Sequence, residues 1–195
     1  MTKQKKRALF YIVSGLLLLV LARGVYMTLH HSVYKTKHFS FSYPVEWSLR
    51  ESRGSTQKYV QVHVFGRIDK AVGFGPSVSL TIYPKKEAGG LFATSQDLVD
   101  PGLAQAKTLK GYRLESDAAV VLPCHVTARE VKSSYALRLP LYKKTAQDTK
   151  IKEHTYYFEK GDYLYVLSHK NIEAGYPASD RLFKLIVKTL RFFSS

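Results

Sequence analysis

The stretch FSFSYPVEWSL, residues 39–49, shows where the folded part of the chain begins. Aromatic side chains alternate with serines from Phe39 to Tyr43, which is the period of a strand with one buried face. Pro44 cannot donate a ladder hydrogen bond, so we predict that the strand ends there or lies at a sheet edge. The only tryptophan of the chain, Trp47, follows. Because aromatic stripes on strands are usually buried, we expect these residues to belong to the hydrophobic core.

Further strands are predicted wherever apolar residues recur at every second position. This pattern occurs in residues 58–67 and 77–85, and again in residues 112–131. A hairpin is predicted in residues 149–170, because Gly161 and Asp162 form a two-residue linker suited to a type II′ turn.

Two segments have the signals of helices. Asp100 followed by Pro101 is typical of a helix start, and Gly111 of a helix end, so the first helix is predicted in residues 101–109. In residues 177–190 the apolar side chains recur at helical spacing, and they are Leu182, Phe183, Ile186, Val187 and Leu190. The order of strands, helix, strands and helix, with hairpin connections, predicts an α+β domain with an antiparallel sheet.

The first 29 residues have the composition of an export signal. Four basic residues precede the uncharged run ALFYIVSGLLLLVLA, residues 8–22. This segment is either a cleavable signal peptide or a signal anchor that continues to Leu29. A helix of residues 8–22 spans only about 22 Å, whereas residues 8–29 span about 33 Å and match a hydrocarbon core of about 30 Å. We therefore favour the uncleaved anchor, which places the following domain on the extracytoplasmic side of the membrane.

The predicted organisation has three parts. Residues 1–29 form a cytoplasmic basic flank and a transmembrane or signal helix, residues 30–37 a juxtamembrane linker, and residues 38–195 the domain. The single cysteine, Cys124, excludes an internal disulfide framework.

The chain is basic beyond its signal. Lys and Arg outnumber Asp and Glu by 30 to 15, which gives a net charge of +15 and a pI near 9.8. All of the acids, and all but four of the basic residues, follow residue 22. Such a charge favours anionic partners, such as nucleic acid, anionic lipid or an acidic polymer.

The two ends of the exported part resemble the PsbP family, named for an extrinsic subunit of photosystem II. FSFSYPVEW is similar to the F-x-F-x-Y-P-x-x-W opening of that family, and residues 156–192 are similar to its closing hairpin, helix and short terminal strand. The resemblance covers about residues 38–193. It implies an α/β/α sandwich around an antiparallel sheet, a fold shared with a Ran-binding nuclear import factor and with exported bacterial proteins. Residues 133–150 look longer than the family usually has between these strands.

No residue pattern in the sequence is typical of an enzyme, and the resemblance implies an accessory, assembly or binding module. The histidines form no close metal-ligand pair in the folded part, although His63, His125 and His154 could meet in space. Cys124 and His125 are expected on opposite faces of a strand, so they cannot act as nucleophile and base. Cys124 is predicted instead to be a small core residue in line with Val126. No catalytic residue, metal or cofactor is therefore predicted.

The residues predicted to bind a partner are lysines. One group follows a strand and the other lies in the extended middle loop, and the set is Lys85, Lys86, Lys143, Lys144, Lys150 and Lys152. Tyrosines between the lysines are typical of a nucleic-acid or glycan surface, whereas a solvated face beside anionic lipid or cell wall is the plainer interpretation.

Three functions are consistent with these observations. We favour a membrane-tethered, non-enzymatic module that binds or stabilises a protein assembly. The alternative is a basic domain that binds an anionic polymer, such as DNA, a wall polymer or anionic lipid. A hydrolase would need a cleft of perturbed carboxylates or histidines, which the sequence does not show.

Overall fold

The computed structural model describes residues 30–54, 59–141 and 145–193. Within these ranges, ten strands form two antiparallel sheets and two longer helices pack on them. The strands are β1 (His31–Lys35), β2 (Phe39–Pro44), β3 (Ser48–Arg53), β4 (Val60–Phe65), β5 (Ser77–Pro84), β6 (Arg113–Val121), β7 (Thr127–Leu139), β8 (Gln147–Lys160), β9 (Tyr163–Ile172) and β10 (Arg191–Phe192). The helices are α1 (Gln96–Lys107) and α2 (Tyr176–Thr189), and short 3₁₀ turns occur at Lys86–Ala88 and Glu173–Gly175.

The larger sheet has seven strands in the order β3-β4-β5-β9-β8-β7-β6. Strands that follow one another in sequence are neighbours in the sheet, except where α1 carries the chain from β5 to β6 at the far edge. The smaller sheet has the order β1-β2-β10. The predicted antiparallel α+β class is confirmed, whereas the prediction of a single sheet missed this second, smaller one.

The β8–β9 hairpin has the predicted two-residue turn. Lys160 pairs with Tyr163, so Gly161 and Asp162 form the whole connection. Gly161 has a φ of 55°, and a type II′ turn requires such a positive φ at its first position. The turn fixes the register of every pair along the hairpin.

The main core lies between one face of the seven-stranded sheet, α2 and the three-stranded sheet. Phe183 and Ile186 of α2 are fully buried there, as the helical stripe predicted. Phe39 and Phe41 of β2 are buried at the same face, and their rings lie parallel with centroids 6.3 Å apart. Phe39, Phe41 and Trp47 are therefore core residues, and burial of each phenylalanine is worth about 1.5–3 kcal/mol, whereas Tyr43 is partly buried against the same core.

Residues 30–37, predicted as a linker, contain a strand of the fold. β1 pairs with β2 along its whole length, from His31 opposite Pro44 to Lys35 opposite Ser40. The folded domain therefore includes β1, and the linker prediction is wrong for this segment. The predicted anchor, residues 8–29, lies outside the described residues. Across the described ranges, no helix is long and apolar enough to cross a membrane.

The first helix begins earlier than predicted. α1 spans Gln96–Lys107, so Pro101 lies inside the helix and Asp100 is not its N-cap. Pro101 has no N–H, which removes one intrahelical hydrogen bond. The helix start is ordered instead by Asp97, whose carboxylate accepts two backbone N–H hydrogen bonds, at 2.9 and 3.0 Å, from the residues just before the helix.

Cys124 and His125 lie in the turn between β6 and β7, not on a strand. The carbonyl of Leu122 accepts a hydrogen bond from the His125 N–H at 2.9 Å, and the Leu122 N–H donates to the Val126 carbonyl at 2.9 Å. His125 has a φ of 58°, the left-handed position that glycine usually occupies in such a turn. Cys124 is half-buried against the core, and burial raises the pKa of its thiol. A core role for Cys124 is therefore confirmed, and the strand assignment is wrong.

Candidate functional site

Three of the lysines predicted to bind an anion are paired with carboxylates. Lys85 Nζ lies 2.7 Å from Glu159 Oε2. Lys150 Nζ lies 2.7 Å from Glu173 Oε1, and Lys152 Nζ lies 3.9 Å from the same oxygen. An external anion would have to compete with these carboxylates for the positive charge.

The middle segment that was predicted as a long loop is mostly sheet. β7 continues to Leu139 and β8 begins at Gln147, so only residues 140–146 connect them. Lys150 and Lys152 consequently lie on β8 and not in a loop. Lys143 and Lys144 belong to the connection, and they lie outside the described residues.

The described lysines of this set lie at opposite ends of the sheet. Lys85 reaches Glu159 near the end of β8, whereas Lys152 is near its start. The seven intervening steps along an antiparallel strand amount to roughly 24 Å. Lys86 is exposed in the 3₁₀ turn after β5. The structure therefore does not gather these lysines into one patch, and their binding of an anion stays a prediction.

A groove lies between the three-stranded sheet and one side of the seven-stranded sheet. Its volume is about 420 Å³, within the range of sites that hold a ligand or a partner's side chains. The apolar lining comes from strands of both sheets and consists of Phe39, Val60, Ile82 and Tyr165. Tyr34, Thr36, Lys37, His38, Glu51, Arg53 and Tyr163 complete the lining. We call this feature the tyrosine groove.

One end of the tyrosine groove is closed by a hydrogen bond between the two sheets. Tyr34 on β1 donates its hydroxyl to Glu51 Oε2 on β3 at 2.7 Å. Burial and this hydrogen bond raise the pKa of Tyr34 to about 12, so the hydroxyl keeps its proton at physiological pH. Arg53 lies 3.4 Å from the other oxygen of Glu51. The one carboxylate in the lining is thus already satisfied.

The remaining charge of the groove is positive. Lys37 is exposed at the rim, and the ring of His38 lies 5.5 Å from that of Tyr163. Tyrosine-rich surfaces with a desolvated centre and a polar rim are typical of the energetically dominant part of protein interfaces. The groove therefore has the composition of a binding surface for an apolar or aromatic side chain that is flanked by negative charge.

A second cleft lies under α1, on the opposite face of the seven-stranded sheet. It has a volume of about 280 Å³ and is lined by polar groups of β7, β8 and β9. Lys170 and Glu153 form an ion pair at 3.1 Å, and Tyr135 donates to the same carboxylate at 3.1 Å. The ideal Cβ of Gly102 would lie 3.1 Å from the Tyr157 hydroxyl, so glycine lets α1 approach the sheet closely. Within this cleft, the Glu153 carboxylate is thus paired with both Lys170 and Tyr135.

Two histidines are buried beneath α2, directly opposite each other on the β8–β9 hairpin. His154 Nε2 lies 2.8 Å from Glu130 Oε1, which also accepts the Tyr156 hydroxyl at 2.9 Å. Burial opposes ionisation of Glu130, but its hydrogen bonds from Lys132, Tyr156 and His154 outweigh it and lower the pKa. An ionised carboxylate only accepts, so His154 carries its proton on Nε2.

The second histidine bonds to a serine. His169 Nε2 lies 2.9 Å from Ser179 Oγ. That hydroxyl is within 3.2 Å of the Gly175 carbonyl and accepts from Asn171 at 3.0 Å. The Tyr176 carbonyl lies 3.1 Å from the same hydroxyl, so Ser179 has two backbone acceptors besides the histidine ring. Ser179 is 3 % exposed, so a substrate has no path to it.

Burial lowers the pKa of both histidines, that of His169 to about 4, and both are neutral at physiological pH. His63, His125 and His154 are not brought together, and no group of three metal-ligating side chains occurs in residues 30–54, 59–141 and 145–193. Sequence analysis missed the buried histidine pair, although the two-residue turn at residues 161–162 fixes the pairing of His154 with His169. It also missed the tyrosine groove, because β1 was predicted as a linker.

The two sheets, the two helices and the closing hairpin, helix and terminal strand together define a PsbP-like fold, as the sequence resemblance implied. No protein-family model matches the sequence, and no curated protein matches it significantly. Solved structures do match.

The structure of cyanobacterial PsbP (CyanoP) from Synechocystis sp. PCC 6803 is similar with a TM-score of 0.50 and 12 % identity, over 84 % of this chain and 93 % of that one. LpqN, involved in cell envelope biogenesis of Mycobacterium tuberculosis, is similar with a TM-score of 0.51 and 12 % identity, over 84 % and 86 %. PA94, a protein of unknown function from Pseudomonas aeruginosa that is described as a putative regulator, is similar with a TM-score of 0.50 and 12 % identity. The match covers 82 % of this chain and 95 % of that one. At this identity the likeness shows the fold alone.

Proposed function

We propose that this protein is a membrane-tethered, extracytoplasmic, non-enzymatic module of PsbP-like fold that binds a protein partner through the tyrosine groove. The groove is the observation that carries the proposal. It joins an apolar floor to a rim that carries the exposed Lys37, at a junction between two sheets. The partner segment would place an aromatic or aliphatic side chain in the groove and an acidic residue near Lys37.

The location is supported by sequence and by structural likeness. Residues 8–29 have the length and composition of a signal anchor. Among the proteins of similar fold, one is involved in cell envelope biogenesis and another is a cyanobacterial PsbP. Basic residues before an apolar segment favour an extracytoplasmic position for the residues that follow that segment.

A binding role is also supported by the state of the titratable groups. The buried histidines are neutral and the serine beside them is inaccessible. In the cleft under α1, the Glu153 carboxylate is already paired with Lys170 and Tyr135. The tyrosine groove, by contrast, combines an apolar floor with the exposed cation Lys37 at its rim.

The test compares two charge-reversed forms of the full-length chain, purified from membranes with whatever binds to them. Lys37→Glu/Arg53→Glu alters the groove rim, and Lys70→Glu/Lys107→Glu makes the same charge change at exposed lysines elsewhere. We expect a partner protein that co-purifies with the parent and with the control. The amount of that protein recovered with the groove variant should be at least tenfold lower. Thermal unfolding of both variants should match the parent, because exposed charges contribute little to stability. An identical set of retained proteins in all three samples would refute the groove as the binding surface.

The tether is tested separately by the mass of the chain recovered from membranes. We expect the N-terminal peptide, residues 1–22, to be present. A mature chain that begins at Arg23 and is recovered in the soluble fraction would show that the segment is a cleaved signal.

A further inference from the structure

The outward side of the three-stranded sheet carries basic and apolar residues. Lys35, Ser40 and Arg191 are cross-strand partners on β1, β2 and β10, so their side chains share one face. Phe39 and Phe41 occupy the other face and are buried, which leaves the Lys35 row outside.

Two exposed apolar residues lie beside this row. Val33 is 65 % exposed, and Phe193 is 39 % exposed. Lys35 Nζ lies 5.4 Å from the centre of the Phe193 ring, so the charge and the aromatic ring are presented together. Exposed apolar side chains among cations are a feature of surfaces that lie in a lipid interface.

The outward side of α2 continues the same surface. Arg181, Lys184 and Lys188 are exposed at positions three and four apart, opposite the buried stripe. Arg191 joins the helix to the sheet, because its guanidinium donates to the carbonyl of Lys188 at 2.9 Å. Thr189 near the helix end accepts a hydrogen bond from the Ser42 N–H of β2 at 2.9 Å.

Acidic residues are almost absent from these elements. β1, β2 and β10 contain no Asp or Glu, and α2 contains one, Asp180. Its carboxylate is 2.7 Å from Lys184 and mostly covered. We call the surface formed by Lys35, Arg181, Lys184, Lys188, Arg191, Val33 and Phe193 the basic face. Its composition is that of a cationic surface that also exposes two apolar side chains.

The basic face lies close to the point where the predicted anchor would leave the membrane. The predicted anchor ends at Leu29 and β1 begins at His31, so one residue lies between them and the two steps along the chain span at most about 7 Å. β1 is an edge strand of the sheet that carries the face. A tether this short holds the three-stranded sheet at the height of the lipid headgroups.

We propose that the basic face lies on the anionic lipid surface of the membrane that holds the chain, and so fixes the orientation of the domain. This inference rests on the tether of the proposed function, but it concerns a different surface from the tyrosine groove. A lysine or arginine near an anionic bilayer increases binding roughly fivefold, and the effect falls off within a Debye length of about 10 Å. The described lysines of the set predicted from sequence, Lys85, Lys86, Lys150 and Lys152, are not part of this face.

The first test uses the unmodified full-length chain in lipid nanodiscs. One disc contains phosphatidylcholine alone, and the other contains about a third phosphatidylglycerol. Lysine acetylation is followed residue by residue by mass spectrometry. In the anionic discs we expect Lys35 and Lys188 to react at least fivefold more slowly than in the neutral discs, and salt near 0.5 M should remove the difference. Lys107 on α1 should react equally in both. Equal rates for Lys35 and Lys188 in the two discs would overturn the proposal.

The second test removes charge from the face. In Arg181→Gln/Lys184→Gln/Lys188→Gln we expect the protection of Lys35 to disappear. The control Lys70→Gln/Lys86→Gln/Lys107→Gln removes the same charge from exposed lysines elsewhere and should leave Lys35 protected. Loss of protection in both variants would mean that net charge, and not this face, attracts the domain. That result would overturn the proposal too.

The proposal of a membrane tether and the proposal of a lipid-binding basic face are refuted by different measurements. Flotation with vesicles at high salt reports the tether, whereas lysine protection reports the face. If the chain is recovered without its N-terminal segment, the same vesicles are added to the shorter chain. The face then predicts binding to phosphatidylglycerol vesicles that is lost at high salt, and an absence of binding refutes it. Protection of Lys35 and Lys188 by heparin but not by the anionic discs would assign the face to a soluble polyanion, and the membrane proposal would be wrong.

Discussion

The two faces of the seven-stranded sheet are each covered by one helix, but they are packed differently. Under α2, Phe183 and Ile186 are fully buried against aromatic and branched apolar side chains of the sheet. Under α1, the helix buries Val99 alone among its residues. The sheet there presents the Glu153–Lys170 ion pair and a cleft of about 280 Å³.

The two helices therefore contribute differently: α2 stabilises the fold by burying apolar side chains, whereas α1 mainly shields its face of the sheet from solvent. Apolar burial scales with the area removed from water, so most of the free energy of folding that a helix supplies here comes from α2. Regions with few buried apolar contacts open more easily, and α1 belongs to that class. Substitutions at matching positions of the two helices should therefore have unequal effects.

The largest effect is expected at Phe183. Its ring centroid lies 5.1 Å from that of His154 and 5.2 Å from that of His169, so Phe183→Ala opens a cavity between two buried polar rings. We expect a loss of about 3–5 kcal/mol in the free energy of unfolding, measured by urea denaturation of the full-length chain in detergent. A loss no greater than that of the α1 variant described below would show that the two faces do not differ.

The second largest effect is a dependence of the free energy of unfolding on pH, which arises from a histidine buried under α2. A histidine titrates near 6.5 in the unfolded chain, whereas burial lowers the pKa of His169 to about 4 in the fold. Between these values the unfolded chain binds more protons, so stability is full above pH 6.5 and falls as the pH falls towards 4. We expect the parent to lose about 2 kcal/mol from this group between pH 7.5 and pH 5.

The variant His169→Gln isolates that contribution. Glutamine keeps an N–H donor for Ser179 but does not titrate, so its unfolding free energy should depend less on pH by about the same 2 kcal/mol. The substitution will also lower the free energy of unfolding at every pH. The measurement is therefore the slope of the free energy of unfolding against pH. An unchanged slope would show that His169 is not the group responsible.

The sequence predicted the α2 face better than the α1 face for the same physical reason. A helix that buries a continuous stripe must repeat apolar residues at helical spacing, and Leu182, Phe183 and Ile186 do so. α1 buries one residue, so it carries no stripe. Its start was placed at Pro101 from a local signal that tertiary contacts overrode.

The candidate binding surfaces are formed by residues that are distant in the sequence, so no local sequence pattern predicts them. The tyrosine groove requires β1, and HSVYK has a single inward aromatic residue, Tyr34, with little alternation to identify a strand. The described lysines of the predicted set do not form one patch, and sequence proximity does not show that Lys150 has Glu173 beside it. The basic face combines α2 with β1 and β10, which are far apart in the chain.

The third prediction concerns the single buried residue of α1. Val99→Ala removes two methyl groups and should cost about 1.5 kcal/mol in the free energy of unfolding, at about 0.8 kcal/mol per group. Hydrogen exchange should show that the amides of α1 lose protection before those of α2. If Val99→Ala costs as much as Phe183→Ala, then α1 supports the fold more than its burial indicates.

The smallest effect is expected on the outward sides of the two helices, where they should behave alike. Lys188 on α2 and Lys107 on α1 are both exposed in the last turn of their helix, where a positive charge interacts favourably with the helix dipole. Lys188→Gln and Lys107→Gln should each change the free energy of unfolding by less than about 0.5 kcal/mol, since surface substitutions away from packed groups do little. The same two variants should differ in another measurement, because only Lys188 lies on the basic face. In nanodiscs that contain phosphatidylglycerol, the acetylation of Lys35 should become faster for Lys188→Gln and stay unchanged for Lys107→Gln. Equal acetylation rates with equal stability would leave the two helices distinguished by their buried sides alone.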